Sequence, residues 1–209
     1  MQTQLLIIRH GNTFEKGQTP RRVGARTDLP LSSSGKTQMQ QLGLHLKSIL
    51  PSYIKINLFS SPLLRTLESA QIISQYLKCP IQIDECFKEI DYGIDENQDE
   101  ASVVKRIGQQ ALEDWDKSGI PAHSWLCNPT ELKHTWQEFA DNTLKIRAEE
   151  ITLVLTSNGC ARFAPVITAR DEDAPSIVKL KTAHYMLFTA KTADLAWTLE
   201  HYNQPYELS

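Results

Sequence analysis

The chain has 209 residues, of which 41% are hydrophobic, and this composition predicts a single ordinary globular domain over 1–209. Its 22 Lys and Arg against 25 Asp and Glu give a net charge of −3, so there is no excess of positive charge for nucleic acid or an anionic membrane surface. The apolar run from Leu5 to Ile8 is far shorter than the roughly 20 residues of a membrane span, and we expect a cytoplasmic protein. The four cysteines are scattered without CxxC spacing, which predicts reduced thiols, no metal site and no cofactor.

Short apolar runs alternate with longer stretches of helical period along the chain. This pattern is typical of an α/β domain with three α/β/α layers around a mainly parallel central sheet. The last two runs alternate apolar with polar residues, which predicts an antiparallel terminal hairpin at a sheet edge. The predicted strands are 5–8, 54–59, 81–83, 151–155, 185–189 and 195–199.

Apolar residues at helical spacing form four stripes between these strands. The last two belong to a helical insertion, or lid, over about 91–149, which begins with an acidic run. There is no repeat or linker, so no domain boundary is predicted. The stripes cover 39–49, 63–77, 104–115 and a segment that starts at Leu132.

The most informative motif is Arg9-His10-Gly11, which directly follows the first predicted strand. The carboxyl ends of parallel strands form the edge where open α/β sheets bind ligands. A cation, an imidazole and a glycine at that edge indicate an anion site with a reactive histidine. The alternative from this tripeptide alone is a histidine that only hydrogen-bonds a neighbouring turn.

Three further segments bring polar groups to the same edge. Ser61 is the expected N-cap of the second helix with Pro62 at its first position, which places Arg65 in the first turn. The turn Ser157-Asn158-Gly159 follows a strand and offers backbone N–H groups to a phosphate. Glu89 follows the third strand and can supply a carboxylic acid.

These motifs, in this order, resemble the histidine phosphatase superfamily, which includes the cofactor-dependent phosphoglycerate mutases. The resemblance spans nearly the whole chain, and it implies a phosphoglycerate mutase-like fold and a phosphorylated small molecule as ligand. The segments that carry it are 9–11, 24–35, 60–70, the turn at Glu89 and 157–159.

The resemblance assigns a catalytic role to five residues. It implies that His10 becomes phosphohistidine, that Arg9 and Arg65 clamp the phosphoryl oxygens, and that Glu89 protonates the leaving alcohol. An imidazole attacks only when it is neutral, and flanking guanidinium groups favour that state by repelling a second positive charge. Asn158 is the fifth residue, at the position next to the phosphoryl group.

The resemblance also assigns residues to substrate binding. Arg22 corresponds to the substrate-side arginine of the family, although the adjacent Arg21 could take that place. The remaining substrate-binding residues that the pattern implies are Asn12, Gly24 and Gly159.

Asn158 stands where the family usually has a second histidine. A charged hydrogen bond is worth roughly 1 kcal/mol more than a neutral one, and losing a donor outright costs about 2.7 to 4 kcal/mol. We therefore expect a rate lower by about tenfold to a thousandfold. A weakened or inactive relative that binds a phosphorylated ligand is the alternative to an active enzyme, and His184 is a weak candidate to replace the missing histidine.

The acidic run bears on the substrate. If its carboxylates face the pocket, they repel a densely anionic substrate. This favours a phosphatase over a phosphoglycerate mutase. The expected substrate is then a monophosphate ester of modest charge, or a monophosphate ester with a cationic group. The alternative is a solvated loop. The carboxylates are those of Asp91, Asp95, Glu96, Asp99 and Glu100.

Overall fold

The computed structural model describes residues 2–168, 179–191 and 196–206. Its strands form a six-stranded sheet in the order β3-β2-β4-β1-β5-β6. β1, β2, β3 and β4 are mutually parallel, and β5 and β6 add an antiparallel hairpin beside β1. The predicted mixed sheet is confirmed, although position 195 of the expected last strand lies outside the described residues. The strands are β1 (Gln2–Arg9), β2 (Ile56–Ser60), β3 (Ile81–Ile83), β4 (Ile151–Thr156), β5 (Tyr185–Lys191) and β6 (Ala196–Gln204).

Helices cover both faces of this sheet. Within the described ranges, none is long and apolar enough to cross a membrane. The helices are α1 (Ser33–Ile49), α2 (Leu64–Leu77), α3 (Glu100–Ile107), α4 (Gln109–Ser118), α5 (Pro129–Ile146) and α6 (Asn158–Ala161), with 3₁₀ turns at Glu85–Phe87, Gly93–Asp95 and Ala164–Thr168.

The two central strands are buried on both faces, as their continuous apolar sequence predicts. Side chains of successive residues point to opposite faces, so β1 contributes Leu5 and Ile7 to one core and Leu6 and Ile8 to the other. The first core contains the apolar faces of α3, α4 and α5, and the second contains those of α1 and α2. The sheet therefore lies between two helical layers, as expected.

Two local expectations were wrong. The stripe over 104–115 is divided into α3 and α4 at Gly108, whose φ of +85° is open to glycine but strained for other residues. Ser61 does not cap α2, because that helix begins at Leu64. Instead Asp28, from a remote loop, accepts a hydrogen bond from the Leu64 N–H at 2.7 Å. Arg65 still falls in the first turn.

Candidate active site

The carboxyl ends of the central strands meet at a cavity of about 860 Å³. β1 and β4 are neighbours, and the His10 N–H donates to the Thr156 carbonyl at 3.1 Å. The turn after β1 and the turn after β4 therefore lie side by side. His10 and Asn158 both line the cavity as a result.

The His10 ring is held in one orientation. Its Nδ1 donates to the carbonyl oxygen of Gly11 at 2.7 Å, because a carbonyl can only accept. In the neutral ring, Nε2 then carries the lone pair, and it has no partner among the residues that the structure describes. Burial, and then the positive charges of Arg65 and Arg9, hold the pKa of His10 well below its ordinary value of 6.5. The ring is therefore neutral at physiological pH, with its nucleophilic nitrogen available.

Arg65 is fully buried and lies behind the cavity wall. Its Nε donates to Ser157 Oγ at 3.2 Å, Nη1 to the Thr27 carbonyl at 3.0 Å, and Nη2 to the Gly24 carbonyl at 3.2 Å. These bonds use three of the five N–H donors of the guanidinium. Arg65 is thus a rigid positive charge beside His10, anchored by the loop before α1 and by the turn after β4.

Arg9 and Asn158 are connected through the backbone of Leu180. Arg9 Nη1 donates to the Leu180 carbonyl at 2.7 Å, and the Leu180 N–H donates to Asn158 Oδ1 at 2.8 Å. The amide oxygen of Asn158 is therefore occupied, which leaves its NH₂ group for the cavity. Asn158 can act as a neutral donor where the family pattern has a histidine.

Glu89 is a buried carboxylate at the cavity wall, with 6% of its surface exposed. Oε2 accepts from the Gly159 N–H at 3.0 Å and Oε1 accepts from the Ile90 N–H at 2.8 Å. Both bonds are to backbone groups, so the carboxyl group has a defined position.

The two glycines that were expected at the substrate serve other groups in the structure. A Cβ at Gly159 would lie 2.1 Å from Glu89 Oε1, and a Cβ at Gly24 would lie 2.1 Å from Glu96 Oε1. Neither glycine is among the described residues that line the cavity. Gly159 makes room for the carboxyl group of Glu89, and Gly24 makes room for that of Glu96 and accepts from Arg65.

The expected substrate-side residues do reach the cavity. Arg22 and Asn12 both line it. Arg22 Nη2 lies 2.8 Å from both carboxylate oxygens of Glu100, and its guanidinium lies over the Tyr92 ring at 5.0 Å. Arg21 lines the cavity as well, but it is exposed, whereas the Arg22 side chain is only 10% exposed. Asn12 Oδ1 accepts from Thr182 Oγ1 at 2.8 Å, which leaves its NH₂ group unused.

The prediction that the acidic run faces the cavity and repels anions was wrong. Only Glu100 of the run is among the described lining residues, and it is paired with Arg22. The other four carboxylates bind nearby cations, side chains or backbone N–H groups. Asp91 pairs with Arg26 at 2.8 Å, and Asp95 pairs with Arg106 and accepts from Trp125 Nε1 at 2.7 Å. Glu96 accepts from the Gly24 N–H at 3.1 Å, and Asp99 caps α3 by accepting from the Ser102 N–H at 2.9 Å.

The cavity itself is rich in positive charge. Six Lys and Arg side chains line its described part, against four carboxylates. Over 2–168, 179–191 and 196–206 no cluster of His, Cys, Asp and Glu is placed to hold a metal ion. Charge for an anionic ligand is therefore supplied by guanidinium and ammonium groups. These are Arg9, Lys16, Arg21, Arg22, Arg162 and Lys179, and the carboxylates are Glu15, Glu89, Glu100 and Asp116.

Sequence reasoning missed three of these cations, Lys16, Lys179 and the buried Arg162. Arg162 follows Asn158 by four residues, which on a helix places the two side chains on one face. That spacing was the signal that could have found it. His184 does not replace the missing histidine, because it is absent from the described cavity lining and its Nδ1 donates to the Thr182 carbonyl at 3.0 Å.

A neutral imidazole set among guanidinium groups at the edge of a parallel sheet is the arrangement of a phosphoryl-transfer enzyme. The comparison with protein families agrees, since residues 5–204 match the histidine phosphatase superfamily (branch 1). The chain belongs to this family.

The chain is similar in sequence to a probable mutase and in fold to two phosphatases. Over 100 residues it is 33% identical to the probable phosphoglycerate mutase GpmB of Proteus mirabilis, an alignment that covers 48% of this chain and 44% of that protein. The chain thus matches less than half the length of this relative. A mycobacterial glucosyl-3-phosphoglycerate phosphatase has a TM-score of 0.78 at 16% identity, covering 98% of this chain and all of the other. For phosphoserine phosphatase of Entamoeba histolytica the TM-score is 0.76 at 21% identity, covering 97% of each chain.

Proposed function

We propose that the protein is a phosphatase that hydrolyses a small phosphomonoester through a phosphohistidine on His10. The observation that carries the proposal is the hydrogen bond from His10 Nδ1 to the Gly11 carbonyl, which leaves Nε2 as the nucleophile at the cavity. In the first step the Nε2 lone pair forms a bond to phosphorus while the ester P–O bond breaks. This step uses the protonated form of Glu89, which gives its proton to the departing alcohol oxygen.

The second step returns the enzyme to its starting state. Glu89, now a carboxylate, takes a proton from water, and the water oxygen attacks phosphorus as the Nε2–P bond breaks. Arg9 and the NH₂ group of Asn158 donate to the phosphoryl oxygens in both steps, and Arg65 stabilises their charge from behind the cavity wall. Arginine suits the role of Arg9 because its planar fork matches two phosphoryl oxygens and keeps its charge.

Access of water favours hydrolysis over transfer to a second substrate. One wall of the cavity is the exposed stretch that includes Lys16, Gly17 and Pro20, so the pocket is open to solvent. The preference for a phosphatase therefore rests on this opening, and no longer on the acidic run.

The four cysteines are free thiols, which suits the cytoplasmic location that we propose.

The mechanism is tested with 4-nitrophenyl phosphate. We expect His10→Ala to lose turnover completely. His184→Ala is the control and should retain turnover, because His184 is half-buried and is not among the described residues that line the cavity. Rapid quenching followed by intact-protein mass spectrometry should detect one acid-labile phosphate on the wild type and none on His10→Ala. Equal turnover in wild type and His10→Ala would rule out the mechanism.

The same preparation separates the two alternatives. Incubation with 3-phosphoglycerate should release inorganic phosphate; efficient formation of 2-phosphoglycerate, followed by NMR, would show a mutase. If no turnover occurs but calorimetry shows that phosphate esters bind, the protein is a weakened relative. In that case Asn158→His should increase the rate, whereas in a site adapted to asparagine it should decrease it.

A further inference from the structure

Arg162 lies at the end of α6, one helical turn after Asn158. Its φ of −59° and ψ of −23° continue the helix, so its side chain projects from the same face as Asn158. The side chain is fully buried, yet it forms part of the wall of the catalytic cavity. A charged group in that position is within reach of a ligand and shielded from bulk solvent.

Most of the N–H groups of Arg162 have no acceptor among the residues that the structure describes. Its guanidinium lies 3.9 Å above the Trp115 ring, and Nη1 donates to the Trp115 carbonyl. Nε and Nη2 have no hydrogen-bond acceptor in the described part of the chain, and the nearest carboxylate oxygen, Asp116 Oδ1, lies 3.8 Å from Nη2. A buried cation with unpaired N–H groups is costly, and an anion beside it removes that cost.

Arg162 lies on the Glu89 side of the cavity. Its guanidinium lies over the Trp115 ring, and the centre of that ring is 6.4 Å from the centre of the Tyr92 ring. A Cβ at Gly159 would lie near both Glu89 Oε1 and the Tyr92 hydroxyl, so these two groups are neighbours. Trp115 and Tyr92 therefore connect Arg162 to Glu89, where the proposed mechanism releases the alcohol.

We propose that Arg162 binds a second anionic group, a carboxylate or phosphate, on the alcohol part of the substrate. The inference rests on the proposed function, because it takes Glu89 as the acid that marks the leaving-group side. The substrate class is a phosphomonoester with a second negative charge, which replaces the earlier expectation of modest charge. Arg22 is less available for this role, because Glu100 already neutralises it.

Two substrates that differ at one carbon test the proposal. 3-Phosphoglycerate has a carboxylate where glycerol 3-phosphate has a hydroxymethyl group. We expect the wild-type kcat/KM to be at least tenfold higher for 3-phosphoglycerate, since hydrogen bonds to charged groups are worth about ten- to a hundredfold in affinity. Arg162→Met should bring this selectivity ratio close to one, and Arg162→Lys should retain part of it.

Asp116→Asn is a second variant with the opposite expected effect. Asp116 is 40% exposed and lies next to Arg162, so its replacement leaves the buried core intact and removes a charge that competes for the guanidinium. We expect the selectivity ratio to rise about two- to fivefold. The rise should be absent when Asp116→Asn is combined with Arg162→Met; an equal rise in that double variant would come from the lost charge of Asp116 alone and would count against Arg162. Thermal unfolding of each variant identifies losses that come from misfolding.

The outcomes distinguish this inference from the proposed mechanism. A wild-type ratio near one, or an equal loss of kcat/KM on both substrates in folded Arg162→Met, overturns the anion subsite even if His10→Ala is inactive. Turnover that survives in His10→Ala overturns the mechanism instead. Calorimetric binding of the two esters to His10→Ala then measures the selectivity of Arg162 without turnover.

Discussion

Replacing Gly159 by alanine should displace Glu89, the acid of the proposed mechanism, without touching His10, the proposed nucleophile. A Cβ at this position would lie 2.1 Å from Glu89 Oε1 and 3.0 Å from its carboxyl carbon, both closer than atoms in van der Waals contact. The carboxyl group must then move by about 1 Å or more, which strains its bonds to the N–H groups of Gly159 and Ile90. Overpacking of this kind costs typically 1–3 kcal/mol, so the protein should stay folded.

The size of the effect should depend on the leaving group. General acid catalysis contributes about 10²- to 10⁴-fold, so Gly159→Ala should lower kcat on an alkyl ester such as glycerol 3-phosphate by that factor. 4-Nitrophenolate leaves without a proton, so the loss on 4-nitrophenyl phosphate should stay below about tenfold. Glu89→Gln should show the same difference between the two esters.

Steady-state kinetics on both esters decide the case. A second variant tests the steric cause, because Gly159→Ala combined with Glu89→Asp shortens the carboxylate and makes room for the new methyl group. We expect the double variant to be more active on glycerol 3-phosphate than Gly159→Ala alone. Equal losses on the two esters, or no improvement in the double variant, would refute the assignment of Gly159 as the residue that positions Glu89.

Three further predictions concern the nucleophile, the phosphoryl donor and the lid. His10 must be neutral to attack, and its pKa lies well below 6.5, so kcat/KM should fall only as the pH drops through that lowered value. Arg65→Gln removes a positive charge and should move this fall in kcat/KM to higher pH. A fall in the wild type at or above pH 6.5 would contradict the assignment. Asn158→Ala should lower kcat about 10- to 100-fold. Asn158→Asp should lower kcat further, because a carboxylate repels the phosphoryl group. Wild-type activity in Asn158→Asp would exclude a donor role for Asn158. Asp95→Ala should lower the free energy of unfolding in urea by about 3 kcal/mol, since the buried carboxylate binds Arg106 and Trp125. A loss under about 1 kcal/mol would show that the Asp95–Arg106 pair does not stabilise the fold.

Several features of the site could be predicted because they depend on short segments of chain. Arg9 and His10 follow a buried apolar run, and the rules for parallel sheets then place them at the ligand-binding edge. The turn at Asn158 follows a second such run, and its strand pairs directly with the first. Local pattern and sheet geometry were sufficient to bring these residues together.

The partners of charged side chains could not be predicted in the same way. The acidic run was expected at the cavity, but only Glu100 is among the lining residues described, and its partner Arg22 is 78 positions away. Asp28 caps a helix that begins 36 positions later. Such pairs depend on which loops come into contact after folding, and the local periodicity of apolar residues does not indicate these contacts.

The sequence by itself determined the architecture and the place of His10 at the ligand-binding edge of the sheet, because apolar periodicity specifies strands and helices and the order of strands specifies which of their ends converge. Only the tertiary structure decided how the charges are distributed around His10. It pairs the lid carboxylates with nearby cations and backbone groups. It also places Arg162 in the cavity wall with two nitrogens that have no acceptor over 2–168, 179–191 and 196–206. The physical reason is that burial and hydrogen bonding, which determine whether a charge is available to a ligand, are properties of neighbours in space.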